Sequence, residues 1–507
     1  MESQTPSRTL GEGLNDEQRA VLEHDFASQG PLLVLAGAGT GKTATLTRRL
    51  ALELARGERP DSVLALTFTR KAALEMRERT AILLGRETDL PEIRTFHALG
   101  LQVLSGDGGR GWKVAGWSKV PALLDEAASG DLRSRFWAER FRRDPRPAVP
   151  ARTMDLLQSE WGVPDRLAQA RPDHPHLEAW TAWEARKRTE DVAEFSDLVA
   201  GALSALEADP ELLATWRSRA RTLLVDEYQD TDRTQYRLAN LLAGDSPRLL
   251  AVGDDDQSIY RFRGADVRNV LDWTRDRPGG RILSLVRNYR CRAPILDLSN
   301  ALFPDKPERF RKFLVPGRPS PEGPRPVWRH CRDEQEEGYW IRAQLGERLR
   351  QGLRSRDACV LFRSNRQEVP LRRALRDLPQ SADGEGDGVR FLTIHAAKGL
   401  EWPVVAVAGQ DAAATDSVKL LEAAQDEERR LFYVACTRSR DVLLLTSCRW
   451  RPGAEGESAR VPLPWMRLVR DRTRRLPTLG ERLLGAISLE ARERSLGRDA
   501  VGWTAPA

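Results

Sequence analysis

The feature that most constrains this 507-residue chain is an apolar run that ends in a glycine-rich loop near the N-terminus. The run PLLVLAG covers residues 31–37, and the stretch KTATLTRRLALELARG, which begins at residue 42, has a helical composition. An apolar run, a glycine-rich turn and a helix in this order are typical of one β–α unit of a parallel sheet. The sequence therefore predicts an α/β fold that begins at this unit.

Further apolar runs have the length and composition of buried strands, and each is followed by a helix-like or loop segment. They are VLALTFT (63–69), TLLVDE (222–227), RLLAVGD (248–254), RILSLV (281–286), ACVLF (358–362), VRFLTIH (389–395), PVVAVAG (403–409) and DVLLLTS (441–447). Strands that alternate with helices indicate parallel sheets. A chain of this length exceeds one hydrophobic core, so we expect two to four domains.

The glycine-rich loop, AGAGTGKT at 36–43, predicts a phosphate-binding site for ATP. Its backbone N–H groups and the following helix N-terminus would hold the phosphates. Lys42 would reach the β and γ oxygens, and the Thr43 hydroxyl would bind Mg²⁺. The predicted nucleotide-binding residues of the loop are Ala36, Gly37, Ala38, Gly39, Thr40, Gly41, Lys42 and Thr43.

A second acidic motif, LLVDEYQD at 223–230, supplies the groups that hydrolysis requires. A strand that ends in two carboxylates suits Asp226 as the Mg²⁺ partner and Glu227 as the base that orients the attacking water. The alternative is an acidic pair that only caps the next helix, and the phosphate loop upstream favours catalysis. Transition-state charge also calls for arginines, for which Arg290 and Arg438 are candidates, although spacing alone supports them weakly.

Composition adds weaker constraints on compartment and partners. The chain has 80 basic and 74 acidic residues, a net charge of +6 and a pI near 9.2, which suits a polyanionic partner. No run approaches the roughly 20 apolar residues that span a bilayer, and the N-terminus is polar, so we expect a cytoplasmic protein with no membrane association. Five cysteines without a CxxC pair disfavour a zinc site.

Motifs in a fixed order from about residue 14 to 447 resemble those of the UvrD/Rep/PcrA-type superfamily 1 DNA helicases. Besides the phosphate loop and the acidic motif, they are LNDEQRAVL (14–22), LTFTRKAALEMRER (66–79), RTFHALG (94–100), AEFSDLV (193–199), VGDDDQSIYRFRGAD (252–266, motif III), LSLVRNYR (283–290), VLFRSNRQE (360–368), FLTIHAAKGLEWPVV (391–405, motif V) and EERRLFYVACTRSRD (427–441). The resemblance implies two RecA-like P-loop NTPase domains, with ATP and Mg²⁺ held in the cleft between them.

The resemblance also implies a role for each matching residue at the nucleotide. Gln18 would recognise adenine, and Gln257 would sense the γ-phosphate. Tyr289 would stack on the adenine and Glu401 would contact the ribose, while Arg290 and Arg438 would act as arginine fingers. The implied catalytic set is therefore Lys42, Thr43, Asp226, Glu227, Gln257, Arg290 and Arg438, with Thr43 and Asp226 as the metal ligands.

A second implied set would line the groove for the nucleic-acid strand: Phe68, Thr95, His97, Phe195, Tyr260, Phe262, Arg263, Asn365 and His395. The residue types fit this role independently, because aromatic faces stack on bases while Thr, Arg and His bond phosphates. Core packing is an equal alternative for Phe68 or Phe195 alone. The alternation of aromatic and guanidinium groups at 260–263 favours function.

The chain departs from the family pattern at several positions. Ala44 follows the loop where Arg is frequent, Arg70 replaces a usual Asn, and Phe262 replaces a usual Trp. Family members also carry a large subdomain, 2B, between the Asn365 segment and motif V, whereas about two dozen residues separate Asn365 from Val389 here. Ten of these form a polar, glycine-rich linker, PQSADGEGDG at 379–388.

These observations predict a domain organisation. A RecA-like domain 1A would comprise 13–100 and 201–277, and domain 2A would comprise 278–378 and 389–475. A mostly helical, 1B-like insertion would cover 101–200, within a region (101–220) that holds seven of the 14 tryptophans. A flexible N-terminus (1–12), the linker (379–388) and a C-terminal tail (476–507) complete the chain. The tail resembles an amphipathic helix; packing on 2A is favoured over a role in binding a protein partner.

The predicted function is an ATP-dependent 3′→5′ translocase and helicase acting on single-stranded DNA and single/double-strand junctions in repair, recombination or replication. The polarity comes from the resemblance alone. One alternative is a non-hydrolysing nucleic-acid-binding module, and another is the motor subunit of a helicase–nuclease complex. The sequence leaves the choice between DNA and RNA open.

Overall fold

The computed structural model of the chain describes residues 10–142, 148–303, 309–381, 386–413, 422–453, 456–463, 465–466 and 474–476. These residues divide into two compact units. Unit 1 comprises the described residues up to Val286 together with 309–312, and unit 2 comprises the remainder.

The helices are α1 (Asp16–Glu23), α2 (Phe26–Gln29), α3 (Lys42–Ala55), α4 (Arg70–Leu84), α5 (Phe96–Val114), α6 (Glu126–Phe141), α7 (Ala151–Trp161), α8 (Pro164–Ala170), α9 (Leu177–Thr189), α10 (Asp197–Ala208), α11 (Pro210–Arg219), α12 (Arg233–Ala243), α13 (Arg268–Leu271), α14 (Trp273–Asp276), α15 (Ala293–Ala301), α16 (Glu334–Arg350), α17 (Glu368–Ala374) and α18 (Glu422–Cys436). None of these helices is long and apolar enough to cross a membrane.

The strands are β1 (Leu32–Ala36), β2 (Val63–Thr67), β3 (Glu92–Thr95), β4 (Ala122–Leu123), β5 (Val192–Ala193), β6 (Thr222–Val225), β7 (Leu249–Gly253), β8 (Arg281–Leu285), β9 (Arg287–Asn288), β10 (Val315–Pro316), β11 (Val327–Cys331), β12 (Ala358–Phe362), β13 (Arg390–Thr393), β14 (Trp402–Val407), β15 (Asp411–Ala413), β16 (Ser439–Cys448), β17 (Trp450–Gly453), β18 (Gly456–Pro462) and β19 (Arg474–Leu476). The α/β class expected from the sequence is confirmed.

Unit 1 contains a parallel six-stranded sheet with the strand order β3-β2-β6-β7-β1-β8. Alternate residues of β1 enter different cores, because successive side chains of a strand point to opposite faces: Leu33 and Leu35 join one cluster, while Leu32 and Val34 join another. The sheet is thus buried on both faces. Its strands therefore read as continuous apolar runs.

The boundary expected between the two RecA-like domains, 277/278, is wrong by about nine residues. Strand β8 pairs with β1 over Leu32–Ala36, so it completes the first sheet, and the chain enters unit 2 only at Arg287. The apolar run at 281–286 was recognised as a strand, but nothing in its composition identifies the sheet it joins. Pairing partners depend on tertiary contacts that a strand pattern does not encode.

The helical insertion also begins later than residue 101. Helix α5 runs from Phe96 to Val114, with a kink of non-helical residues at Gly106–Gly109, and packs on α10. Val103, Trp112 and Trp117 belong to the core that covers the first sheet. A separate core, built from α6–α9, includes Phe136, Leu157, Leu167, Trp180 and Trp183. The independent helical layer therefore starts beyond Trp117.

Unit 2 contains a second parallel sheet, with the order β13-β12-β14-β16-β11-β19. An antiparallel sheet, β15-β18-β17, which the apolar runs do not predict, combines one strand that precedes β16 with two that follow it. The predicted C-terminal tail lies outside the described residues except for Leu476, as does most of the predicted flexible N-terminus.

The segment at the expected position of subdomain 2B is short and tightly closed. Helix α17 is followed at once by backbone hydrogen bonds from Val389 N to Pro379 O (2.8 Å) and from Ser381 N to Val389 O (3.1 Å). Arg372 adds a hydrogen bond from Nη1 to Ser381 O (2.9 Å). The two ends of the polar linker therefore lie side by side at the entrance of β13.

Candidate nucleotide and nucleic-acid sites

The phosphate loop of unit 1 connects the buried strand β1 to helix α3. Gly41, the residue before the helix, has φ +82°, and a Cβ there would lie 2.7 Å from Nε2 of Gln18. Glycine satisfies both restrictions, because it tolerates positive φ and has no side chain. The Thr40 hydroxyl donates to Gly37 O at 2.8 Å, which closes the loop on itself. The N–H groups at the start of α3 form a site suited to phosphate.

Gln18 lies directly against this loop. It is the third residue of α1 and forms a reciprocal capping box with Asn15. Its Nε2 donates to Thr40 O at 2.9 Å, and its side chain is buried. The capping box fixes the helix end, and the Thr40 contact fixes the amide beside the loop.

Lys42 and Glu227 form an ion pair at the loop. Lys42 Nζ lies 2.5 Å from Glu227 Oε1, and the two side chains are 13% and 22% exposed. Burial alone would lower the pKa of Lys42, but the carboxylates of Glu227 and Asp226 outweigh it and raise that pKa. Glu227 adopts a left-handed conformation, with φ 52°, just after β6. The strand end thus presents the carboxylate to the loop lysine.

Thr43 and Asp226 are the residues expected to hold Mg²⁺. Thr43 is the second residue of α3, and Asp226 follows β6 and is buried, with Oδ1 accepting the N–H of Glu227 at 2.9 Å. A hydroxyl and a carboxylate are hard oxygen ligands of the kind Mg²⁺ prefers. Their chemistry therefore fits the metal.

A hydrogen-bond chain extends from the loop to Gln257. Gln229 Nε2 donates to Glu227 Oε2 at 2.5 Å, and Gln229 Oε1 accepts the N–H of Asp254 at 2.9 Å. Gln257 Nε2 then donates to Asp254 Oδ2 at 2.7 Å. Gln229 and Asp254 were not predicted as site residues, although both lie inside recognised motifs. Motif III is therefore hydrogen-bonded to the base candidate through Gln229.

Unit 2 brings together Arg290, Glu401 and Arg438, although their motifs are far apart in sequence. Arg290 forms a close ion pair with Glu401 and donates from Nη1 to Thr437 O at 3.2 Å. Arg438 is almost fully buried, and it donates from Nε to Val434 O at 3.0 Å and from Nη1 to Leu400 O at 3.2 Å. Tyr289 is 42% exposed. The two arginines are thus held in fixed positions by unit 2 itself.

The strand-contacting candidates of unit 1 form two stacked aromatic pairs. Phe68 and Tyr260 stack with centroids 5.0 Å apart and an interplanar angle of 20°. His97 and Phe195 stack at 4.3 Å and 18°. The guanidinium of Arg263 lies 5.7 Å from the Tyr260 ring and 5.6 Å from that of Phe262. The alternation of residue types at 260–263 therefore produces a connected cation–aromatic surface.

Two residues of this set also have contacts within unit 1. The hydroxyl of Thr95 caps helix α5 by accepting the Ala98 N–H at 3.2 Å, and Thr95 is buried. Burial lowers the pKa of His97 to about 4, so the imidazole is neutral at pH 7. His97 is therefore a neutral ring that stacks on Phe195. Spacing alone could not reveal this, because the pKa depends on burial.

A buried charge cluster includes Glu194 and Asp197, which lie on either side of Phe195 in the sequence. The side chain of Lys187 is fully buried, and its Nζ lies 2.6 Å from Asp197, 3.0 Å from Glu184 and 3.3 Å from Glu194. Asp197 also accepts the backbone N–H of Glu194 at 2.7 Å. These contacts close the turn that presents Phe195, whose side chain is 51% exposed.

In unit 2, Asn365 and His395 follow β12 and β13, which are parallel neighbours. Both residues therefore lie at the carboxyl edge of the second sheet. A cavity of about 690 Å³ opens at this edge, lined by residues that include Arg363, Arg366 and Ile394. This edge is the part of unit 2 on which the strand-contacting candidates converge.

Among the described residues, one group of three could hold a metal by distance: Glu337, Asp411 and Cys448. Arg451 donates to both carboxylates, at 2.8 Å to Glu337 Oε2 and 2.9 Å to Asp411 Oδ1, and Arg460 also binds Asp411. These arginines neutralise the two carboxylates. The cluster is therefore an ion-pair network that anchors the antiparallel sheet to helix α16.

Comparison with known proteins agrees with this architecture. The UvrD/REP helicase N-terminal domain model matches residues 14–278, and the UvrD-like helicase C-terminal domain model matches 283–379 and 374–450. The two C-terminal matches meet near the closed linker.

Similar proteins include three named ATP-dependent DNA helicase PcrA. The one from Leuconostoc citreum is 33% identical over 391 residues, covering 74% of this chain and 50% of that protein. Those from Staphylococcus aureus and Staphylococcus epidermidis are 31% and 30% identical, each covering 71% of this chain and 49% of the relative. The chain thus spans about half the length of these relatives. By its domain matches and by these identities, it belongs to the UvrD/REP helicase family.

Proposed function

We propose that this protein hydrolyses ATP to move 3′→5′ along single-stranded DNA and to unwind duplexes at single/double-strand junctions. The observation that carries the proposal is the hydrogen-bond chain from Lys42 through Glu227 and Gln229 to Gln257. Gln257 is three residues from Tyr260, which belongs to the stacked aromatic surface. The nucleotide site and the strand site are thus joined by a single short segment of motif III.

In the proposed reaction, the loop and Lys42 bind the phosphates, and Glu227 orients and deprotonates the attacking water. Mg²⁺, held by Thr43 and Asp226, would neutralise charge on the phosphates. Gln257 contacts the γ-phosphate, Gln18 and Tyr289 the adenine, and Glu401 the ribose. Arg290 and Arg438 stabilise the charge that builds on the γ-phosphate oxygens.

Movement requires that the grip on DNA differ between nucleotide states. We assign the strand contacts of unit 1 to Phe68, His97, Phe195, Tyr260, Phe262 and Arg263, with Thr95 supporting them as a cap. Asn365 and His395 supply the contacts of unit 2. The proposed setting is cytoplasmic DNA repair, recombination or replication.

Turnover of ATP with and without single-stranded DNA tests the motor, and 3′-tailed, 5′-tailed and blunt duplexes test polarity and unwinding. The same substrates made of RNA decide between the two nucleic acids. We expect stimulation by single-stranded DNA and unwinding of 3′-tailed substrates. A failure of single-stranded DNA to raise ATP turnover would refute the motor.

The complete catalytic set argues against a non-hydrolysing binding module. Lys42→Ala should abolish turnover, and unchanged turnover in both Lys42→Ala and Glu227→Gln would overturn the roles assigned to them. A translocase that unwinds poorly is a second candidate, favoured by the closed linker at Pro379–Val389. A strand-displacement assay at limiting enzyme separates it from an autonomous helicase.

A further inference from the structure

A short segment that carries no predicted site residue lies beside motif III. Residues 309–312 belong to unit 1, although the chain on both sides of this segment belongs to unit 2. The segment follows α15 and bears two cations, Arg309 and Lys312. Both contact the turn that follows β7 and leads to Gln257.

The contacts of this segment are close and buried. Lys312 Nζ lies 2.7 Å from Asp254 Oδ1 and 3.3 Å from Asp256 Oδ2, and it also forms a close ion pair with Asp255. Arg309 binds both carboxylate oxygens of Asp256, at 2.6 Å and 2.7 Å. The side chain of Lys312 is only 2% exposed. The two cations are therefore clamped onto three consecutive aspartates.

Three consecutive buried carboxylates repel one another, and burial raises the pKa of Asp255. Burial likewise works against the charge of Lys312, but the surrounding carboxylates outweigh it and raise the pKa of Lys312. Lys312 therefore remains a cation at neutral pH. Its ammonium group lies 2.7 Å from Asp254 Oδ1 and offsets the negative charge of the three aspartates.

Asp254 holds the amide of Gln257. Gln257 Nε2 donates to Asp254 Oδ2 at 2.7 Å, while the other carboxylate oxygen, Oδ1, lies 2.7 Å from Lys312 Nζ. The carbonyl oxygen Oε1 of Gln257 is then directed away from Asp254. Loss of the Lys312 contact would free the carboxylate of Asp254 to turn and would release the amide of Gln257.

We infer that Lys312 and Arg309 are positioning residues for the ATPase reaction, because Lys312 holds Asp254, the acceptor of the Gln257 amide, and Arg309 holds the neighbouring Asp256. The inference rests on the proposed function and extends it to residues outside the recognised motifs. Asp254 also donates its N–H to Gln229, which binds Glu227. Lys312 and Arg309 therefore influence both Gln257, the proposed γ-phosphate sensor, and Glu227, the proposed base.

The test is the discrimination between ADP and a non-hydrolysable ATP analogue, measured by titration calorimetry with the full chain. We expect wild type to prefer the analogue in the presence of Mg²⁺, and Lys312→Met to lose that preference. In steady-state assays, kcat should fall about 10- to 100-fold, the scale of losing one oriented group, while KM stays within about threefold. Lys312→Arg should recover part of the loss.

Lys119→Met is the matched control, since Lys119 is 70% exposed and pairs with Asp191 far from motif III. If Lys312→Met unfolds below the assay temperature, two other variants replace it in the test. They are Arg309→Gln and the double variant Lys312→Met/Asp255→Asn, which removes one positive and one negative charge. A double variant that regains stability but not discrimination supports positioning. If that variant keeps the wild-type preference for the analogue and the wild-type kcat, the inference is overturned while the proposed function stands. If wild type bound neither nucleotide, the proposed function would fall, and the inference with it.

Discussion

The ion pair between Lys42 and Glu227 predicts opposite effects of one substitution on nucleotide affinity and on turnover. In the structure, Lys42, the lysine that we propose binds phosphate, already binds a carboxylate at 2.5 Å. Nucleotide must therefore compete with Glu227 for Lys42. Glu227→Gln keeps the shape of the side chain and replaces a charged acceptor with a neutral one.

The expected gain in affinity follows from the difference between the two hydrogen bonds. A hydrogen bond to a charged group contributes about 1.5–3 kcal/mol and a neutral one about 0.5–1.5 kcal/mol. The substitution should therefore lower the free energy needed to separate Lys42 from residue 227 by roughly 1–1.5 kcal/mol. Nucleotide should then bind about five- to tenfold more tightly. Turnover should fall about 10²- to 10⁴-fold, because the general base is lost.

Titration calorimetry with ADP and the non-hydrolysable analogue measures the first effect, and a phosphate-release assay measures the second. Glu75→Gln is the control, because Glu75 forms an exposed ion pair with Arg79 on α4 and should change neither quantity. A folded Glu227→Gln protein with unchanged or weaker nucleotide affinity would show that the ion pair does not oppose binding.

Three further predictions concern the strand-contacting face of unit 1. Lys187→Met leaves three buried carboxylates without their shared cation, so the free energy of unfolding measured with urea should fall by about 3–5 kcal/mol; an unchanged value would refute the charge argument. Phe195→Ala should weaken binding of single-stranded DNA by about 1–3 kcal/mol in fluorescence anisotropy, with nucleotide affinity unchanged; equal losses for both ligands would indicate a folding defect instead. Because the pKa of His97 is lowered to about 4, its neutral form stabilises the fold fully above about pH 6.5, and this contribution is lost as the pH falls toward 4. His97→Asn should therefore flatten the decline in stability between pH 7 and pH 5, and identical profiles for the two proteins would contradict the burial of the imidazole.

The sequence predicts where the strands of this fold lie better than it predicts which strands pair with each other. Hydrophobic runs located β1, β2, β6 and β7 within two residues at either end, because a strand buried on both faces is continuously apolar. The run that became β8 was assigned to the wrong domain, since pairing with β1 is a long-range choice. Strand β3 was missed because Glu92 and Arg94 interrupt its apolar pattern.

In the candidate nucleotide site, too, some residues can be identified from the sequence and others cannot. Lys42, Asp226 and Glu227 could be singled out because phosphate binding, metal binding and water activation each demand a particular residue type just after a buried strand or its loop, and the structure brings Lys42 and Glu227 into contact. Gln229 and Lys312 could not, since their roles depend on partners 25 and 58 residues away in sequence. Helix caps such as Thr95 are visible in a sequence, but whether the hydroxyl serves the helix or a ligand is decided only by geometry.

The closed linker between Pro379 and Val389 has a consequence for how proteins with this fold can accept an inserted domain. Because its ends already bond to each other, the sheet of unit 2 does not depend on what is inserted between them. Loop-closure entropy grows only slowly with length, so a whole folded domain could replace the linker at little cost in stability. The junction between Pro379 and Val389 is thus a position at which one inserted domain can be exchanged for another while the sheet of unit 2 stays intact.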